Sequence, residues 1–200
     1  MSKSMNASIA TELSMIINKN EKSKASASVL IIVREFEQKL QVLLTLRSET
    51  LRNHSGEWAL PGGKCDKGET SGQTAMRESN EEIGLNIDQI KIVGQLESFQ
   101  SKDGLEVDVW IGVLKDKDFR PILNEAEVQK ILWLDLHHLL KKADRTHKLK
   151  RSHTYVSIPF YDFLTPSLWG LTAMILHGLG KKINRNMNDL PVLQMLLREK

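Results

Sequence analysis

A single cysteine, Cys65, is all the thiol chemistry in this chain of 200 residues, so an intrachain disulfide and a cysteine-built zinc centre are both excluded. Cys65 has no evident activating partner and is assigned no catalytic role. One thiol fits a reducing compartment, and the cytoplasm is the expected location. The final Leu-Arg-Glu-Lys is not the Ser-Lys-Leu peroxisomal address, which points the same way. An excess of one charge is also missing. The 28 basic and 25 acidic residues leave a formal net charge of +3, too balanced for non-specific nucleic-acid binding. No apolar run is long enough to cross a bilayer, and residues 1–24 lack the continuous apolar stretch of a secretory signal. Yet 40% of the residues are hydrophobic, enough for a folded core, and the length fits one domain of ordinary size. The expected partner is a small molecule, with neither nucleic acid nor membrane.

What is present is concentrated in residues 63–85, GKCDKGETSGQTAMRESNEEIGL. Thr70 followed three residues later by Gln73 is a capping-box pattern, in which each side chain satisfies a backbone donor left open at a helix start. Gly84 is the natural stop, because glycine enters the left-handed conformation without a side-chain penalty. At about 100° per residue, Gly72, Ala75, Met76, Ser79 and Ile83 fall on one side of this helix, and Glu78, Glu81 and Glu82 on another. Like charges at this spacing cost only about 0.2–0.5 kcal/mol per pair on an exposed helix, so a solvated acidic face is tolerable in itself. The company these carboxylates keep argues for more. Pro61, Gly62, Gly63 and Gly68 make a preceding loop able to bring backbone groups close to a ligand, and Glu69 ends it within reach of Arg77. Such an all-oxygen environment suits a hard divalent cation, and Mg²⁺ in particular binds through a few carboxylates plus substrate phosphates.

The stretch resembles the Nudix box: glycine, five residues, glutamate, seven residues, Arg-Glu, an aliphatic residue, any residue, Glu-Glu, any residue, glycine, aliphatic. Gly63, Glu69, Arg77, Glu78, Glu81, Glu82, Gly84 and Leu85 match. Ser79 stands where the family usually has an aliphatic residue; the position is on the packing side, so a packing adjustment is expected there and not a loss of chemistry. Upstream, LLTLRSETLRNHSGEWALPGG is similar to the signature of the coenzyme A pyrophosphatases within this superfamily. Leu43, Leu44, Thr45, Arg47, Ser48, Arg52, Gly56, Pro61, Gly62 and Gly63 match in register, with Leu60 in place of the usual phenylalanine. A third region, LWGLTAMILHG from Leu168, resembles a Trp-Gly-x-Thr-Ala-x-Ile-Leu segment near the end of the same enzymes.

The resemblance implies an α/β fold, a Nudix-type α/β/α sandwich with a mixed β-sheet, over residues 25–183. An N-terminal helix and linker (1–24) would precede it and a C-terminal helical extension (184–200) would follow. It also implies a Mg²⁺- or Mn²⁺-dependent hydrolase that cleaves the diphosphate of coenzyme A or an acyl derivative. Glu78, Glu81 and Glu82, with the carbonyl of Gly63, would hold the metal, and Arg77 would orient Glu69. Glu81 or Glu127 would take the proton of the attacking water, Glu127 being otherwise an extra metal ligand, with Glu125 competing with Glu127 for that place. Arg47 and Arg52, with Gly62 and Gly63, would contact substrate phosphates. A hydrolase of ADP-ribose, a dinucleotide or an oxidised nucleotide would share the metal helix and differ in the pocket. A non-catalytic binder would have no need of the complete acidic set.

Elsewhere, Ile9, Leu13, Ile16 and Ile17 recur at helical spacing and predict a short helix packed on the body or on a second subunit, followed by a polar linker at 18–24. Residues 27–33, 40–46, 91–99 and 107–114 read as strands, the last two joined by a turn at 102–104. Asp108 and Trp110 share a strand face, open to a site or to ordinary half-exposure. Residues 124–136, NEAEVQKILWLDL, resemble a family segment in which a Glu-Val pair precedes a Trp-containing strand. His137 and His138 are expected to point in different directions and to start a helix, not to act as ligands. Residues 141–153 carry Lys141, Lys142, Arg145, Lys148, Lys150 and Arg151 and read as a solvated loop, or as cations for nucleotide phosphates such as the 3′-phosphate of coenzyme A. Residues 155–163 read as a strand with an aromatic patch, and 168–178 as an apolar helix. A last helix at 192–198, opened by Pro191, has leucines that need a partner surface, which leaves a homodimer open.

Overall fold

Alternation along one strand divides the molecule into layers. In β1 (Ala27–Phe36), Leu30 and Ile32 join one apolar cluster, while Ile31 and Val33 join another on the opposite face. The computed structural model describes residues 2–17, 25–51, 53–116, 118–141, 143–151 and 154–198. β1 is central in a seven-stranded sheet with β2 (Lys39–Arg47), β3 (Trp58–Ala59), β4 (Gly62–Lys64), β5 (Ile90–Gln100), β6 (Glu106–Leu114) and β7 (Val128–Asp135). The order is β3-β2-β1-β6-β5, with β4 also beside β1 and β7 beside β2. β1 and β6 run parallel and the other pairs antiparallel, so the sheet is mixed, as expected. The four strands expected at 27–33, 40–46, 91–99 and 107–114 are present, each extended at one or both ends, while the one expected at 155–163 stops at Phe160. β3 and β4 are unforeseen, being too short for a pattern and formed because β2 and β1 offer them backbone partners.

One face of the sheet is covered by the box helix. With α1 spanning Ser2–Met15 and α2 spanning Ser71–Ile83, it is α2 that packs Ala75 and Ile83 over Leu30, Ile32, Leu43 and Trp110. After α3 (His137–Leu140), α4 (Gly170–Arg185) and α5 (Pro191–Leu196) lie with α1 on the other face, completing an α/β/α sandwich. Ile9 and Leu13 of α1 are fully buried in this layer, together with Ile16 and Ile17 just beyond it. The leucines at the C-terminal end find their partner within the chain: Leu193, Leu196 and Leu197 are buried in the same cluster, and α5 packs on α1. The linker expected at 18–24 lies outside the described residues.

Two expectations are corrected. The basic run is not a loop but β8 (Arg145–Arg151), paired antiparallel with β9 (Thr154–Phe160) in a separate two-stranded sheet. Its alternate residues His147 and Leu149 lie opposite Ile158 and Val156, an alternation that the charge of the run conceals. His137 and His138 do open a helix, α3, but their rings do not diverge. The ring centroids are 3.9 Å apart, because rotation about the side-chain bonds swings adjacent imidazoles together on a helix of one turn.

Candidate active site

Local sequence builds the helix that carries the acidic residues. Thr70 caps α2: its N–H donates to Gln73 Oε1 at 2.9 Å, and the Gln73 N–H donates to Thr70 Oγ1 at 3.3 Å. Gly84 ends it in the left-handed conformation at φ 69°, its N–H donating to Asn80 O at 2.8 Å. Beneath the first turn, Trp110 donates from Nε1 to Ser71 Oγ at 3.1 Å, and Gly72 sits against its ring. Asp108, fully buried, accepts Ser98 Oγ–H at 2.7 Å. Trp110 therefore supports the helix from the sheet, while Asp108 ties β6 to β5 within it. Ser79 fits the packing face because its hydroxyl donates to Ala75 O at 2.7 Å, which satisfies the one polar group that an aliphatic residue would lack.

The loop before the helix brings backbone against carboxylate. Gly62 pairs with Val29 so closely that a Cβ there would stand 2.6 Å from Val29 Cα. Gly63 faces Glu78, whose carboxylate oxygens would lie 2.5 and 2.6 Å from a Cβ, so only glycine leaves room for them. Arg77 then fixes the surroundings. It donates from Nε to Glu69 Oε1 at 2.8 Å, from Nη1 to Glu78 Oε1 at 2.9 Å and Glu81 Oε2 at 3.0 Å, and from Nη2 to Lys64 O at 3.1 Å. Hydrogen bonds from Arg77 and then Thr74 hold the Glu69 carboxyl down at about 2.

Glu82 is buried from the end of α2 facing the same place. At 2% exposure, burial pushes its carboxyl up to about 8; Arg47 opposes this, Glu78 and Glu127 add to it, and the Gly62 backbone opposes it slightly. Glu78 is raised too, first by burial, against the hydrogen bond from Arg77 and with Glu81 and Glu127 adding. Glu82 Oε2 and Arg47 Nε are buried without a hydrogen-bond partner among the described residues. The Asn124 side chain donates to Glu127 Oε1 at 3.3 Å, while its backbone N–H donates to Glu82 O at 3.0 Å, so one residue ties the glutamate's loop to the helix end. Nothing in the local sequence marks Asn124 for this role.

Glu78, Glu82 and Glu127 therefore act on one another electrostatically, with Arg47 beside Glu82 and the bare backbone of Gly63 beneath Glu78. Glu81 stands at the rim, its side chain 51% exposed. Glu125 is exposed and takes no part in these interactions. Arg52 lies outside the described residues. An unpartnered buried carboxylate oxygen among mutually repelling carboxylates is a donor set that fits a hard divalent cation such as Mg²⁺ or Mn²⁺. Protons must otherwise relieve the repulsion.

Residues 24–154 match the family model described as NUDIX domain. Nudix hydrolase 15, mitochondrial, of Arabidopsis thaliana is 39% identical over 163 residues, which cover 78% of this chain and 57% of that protein. Peroxisomal coenzyme A diphosphatase ndx-8 of Caenorhabditis elegans is 30% identical over 197 residues, covering 92% of this chain and 82% of the relative. Mitochondrial coenzyme A diphosphatase NUDT8 of Homo sapiens is 34% identical over 158 residues, covering 76% and 66%. The chain spans little more than half the length of Nudix hydrolase 15 and of a second Arabidopsis relative, Nudix hydrolase 22, chloroplastic, at 57% and 52%. Among solved structures, a MutT/nudix family protein from Enterococcus faecalis shares the fold, with a TM-score of 0.56 at 20% identity over 96% of this chain and 74% of that one. The match extends over more than half of the chain, includes the capped helix and its glutamates, and agrees with the sandwich around them: this chain belongs to the Nudix family.

Proposed function

We propose that the protein hydrolyses the diphosphate of coenzyme A or an acyl-coenzyme A, giving 3′,5′-ADP and (acyl)-4′-phosphopantetheine. The observation that carries the reading is the convergence of Glu78, Glu82 and Glu127 on one another, with Gly63 against Glu78 and Arg47 beside Glu82. Glu78 and Glu82, with Glu81 from the rim and the Gly63 carbonyl, would hold Mg²⁺ or Mn²⁺. Bound there, the ion supplies charge neutralisation of the diphosphate and a more acidic water. Arg47, whose Nε has no hydrogen-bond partner among the described residues, offers the substrate a guanidinium that can take a phosphate, with Arg52 proposed beside it. Gly62 and Gly63 allow the diphosphate to approach backbone. Glu127 is the better placed proton acceptor, since Arg77 already engages Glu81. Arg77 and Glu69 position the loop and Glu78.

The coenzyme A assignment rests on the Arg47 segment and on the two relatives named as coenzyme A diphosphatases. No helix among the described residues is long and apolar enough to cross a membrane. The cytoplasm remains our proposed compartment on the single-thiol argument, although those two relatives are named peroxisomal and mitochondrial. The test is product analysis after incubation with Mg²⁺ or Mn²⁺ and, separately, coenzyme A, ADP-ribose, a dinucleotide and an oxidised deoxynucleoside triphosphate. Release of 3′,5′-ADP well above turnover of the others is expected. Turnover of another substrate alone would overturn the coenzyme A assignment while keeping the metal helix, and metal binding without any turnover would favour a regulator.

A further inference from the structure

Asp135 ends β7 and His137 and His138 open α3, and these three residues bring one donor atom each within 4.8 Å of one another. This cluster is remote from the catalytic glutamates. At one end of β7, Val128 pairs with Arg47; at the other, Asp135 pairs with Gln41, a separation of roughly 20 Å along the strand. Neither imidazole has a hydrogen-bond partner among the described residues, and Phe163 backs His138 with ring centroids 5.2 Å apart. Asp135 and His137 also line a cavity of about 270 Å³, with Lys39, Leu40, Leu196 and Arg198.

We propose that Asp135, His137 and His138 form a second metal site, for Zn²⁺ or a similar transition-metal dication, independent of the carboxylate site on α2. Two imidazole nitrogens and one carboxylate oxygen are borderline donors that prefer such ions, whereas the all-oxygen set on α2 prefers harder ones. In a tetrahedral site with bonds of about 2.0–2.1 Å, donor atoms stand about 3.3 Å apart. Closing from 4.8 Å takes an adjustment of about an ångström from each side chain, within reach of partly exposed rings. The cavity leaves the remaining coordination position to water.

A cation already occupies the carboxylate. Lys39 Nζ lies 2.7 Å from Asp135 Oδ2, while Gln41 Nε2 donates to Oδ1 at 2.8 Å. The lysine side chain is 51% exposed, and ion pairs of this exposure are weak, so a dication held by two imidazoles displaces it. Lys39 is thus the internal competitor of the metal.

The test uses the full chain without an affinity tag, in excess Mg²⁺ to keep the α2 carboxylates occupied. Co²⁺ is titrated by visible absorption, and Zn²⁺ by calorimetry in competition. One equivalent with an intensified ligand-field spectrum is expected. The double variant His137→Ala/His138→Ala should weaken binding at least about 100-fold, and Lys39→Met should tighten it by about tenfold. Glu82→Gln should leave it unchanged. If the double variant misfolds, Asp135→Asn serves, because its amide oxygen can still accept from Gln41. The proposal is overturned if no spectrum develops, if the spectrum survives loss of the histidines, or if it disappears with Glu82→Gln.

Discussion

The Glu78 carboxylate occupies the space in which a side chain on Gly63 would begin. Gly63→Ala must therefore displace the carboxylate from the backbone it faces. The carboxylate is the far end of a flexible side chain and can swing away, so the stability cost should stay below about 1 kcal/mol, but the displaced carboxylate should lower metal affinity by at least about tenfold. Gly178→Ala is the opposite case: in the interior of α4, its Cβ would meet nothing nearer than Phe99 Cζ at 3.4 Å. It should raise stability by about 0.5–1 kcal/mol. Denaturation curves and metal titrations of the two variants check both signs.

Glu82 makes the metal-free protein sensitive to alkali. Its folded carboxyl is raised from 4.5 to about 8, so its contribution is fully present below the unfolded value and is lost as pH rises through the folded one. At about 1.4 kcal/mol per pKa unit, the loss is on the order of 5 kcal/mol. Without metal, the wild type should lose stability relative to Glu82→Gln between about pH 5 and 9, and the two should converge at the acid end. With Mg²⁺, the wild type alone should regain stability. Parallel curves for the two proteins would rule out a buried, proton-relieved Glu82.

Glu127 and Glu125 separate a placed carboxylate from a surface one. Glu127→Gln should lower kcat by about 10²–10⁴ if it accepts the proton of water. Glu125→Gln should stay within about twofold, since such exposed substitutions are usually mild. Equal losses in both variants would mean that the loop, and not its glutamate, is what matters.

How far the sequence reaches follows from whether each signal is local. Thr70, Gln73 and Gly84 mark the ends of α2 by contacts within a few residues, and the helix is legible to the residue. The pairing of Arg77 with Glu69 is legible too, because a helix start and its preceding loop are neighbours. The choice between Glu125 and Glu127 is not, because it depends on Asn124 binding the far end of α2. The burial of Glu82 is equally hidden: its position on the helix places it among acidic neighbours, while the sheet and the 122–127 loop remove it from water. In β8, alternation is masked by charge, and a partner strand decides the conformation.

Glu12 joins the two ends of the chain. Buried on α1, it accepts the N–H groups of Val192 and Leu193 at 2.8 Å each, and so caps α5 from 180 residues away. Both donors belong to the open first turn of that helix, and the acceptor is a carboxylate in the position that a helix N-terminus favours. Removing it leaves one buried and one part-buried donor unpaired, so Glu12→Ala should cost about 2–3 kcal/mol in chemical denaturation, and Glu12→Gln, which keeps one acceptor oxygen, about half as much. The helix α2 with its glutamates lies on the opposite face of the sheet, so kcat per folded molecule should not change. A cost no larger than that of Glu125→Gln would show that α5 is held by its leucines alone; lost kcat with normal stability would mean that the terminal layer reaches the active site.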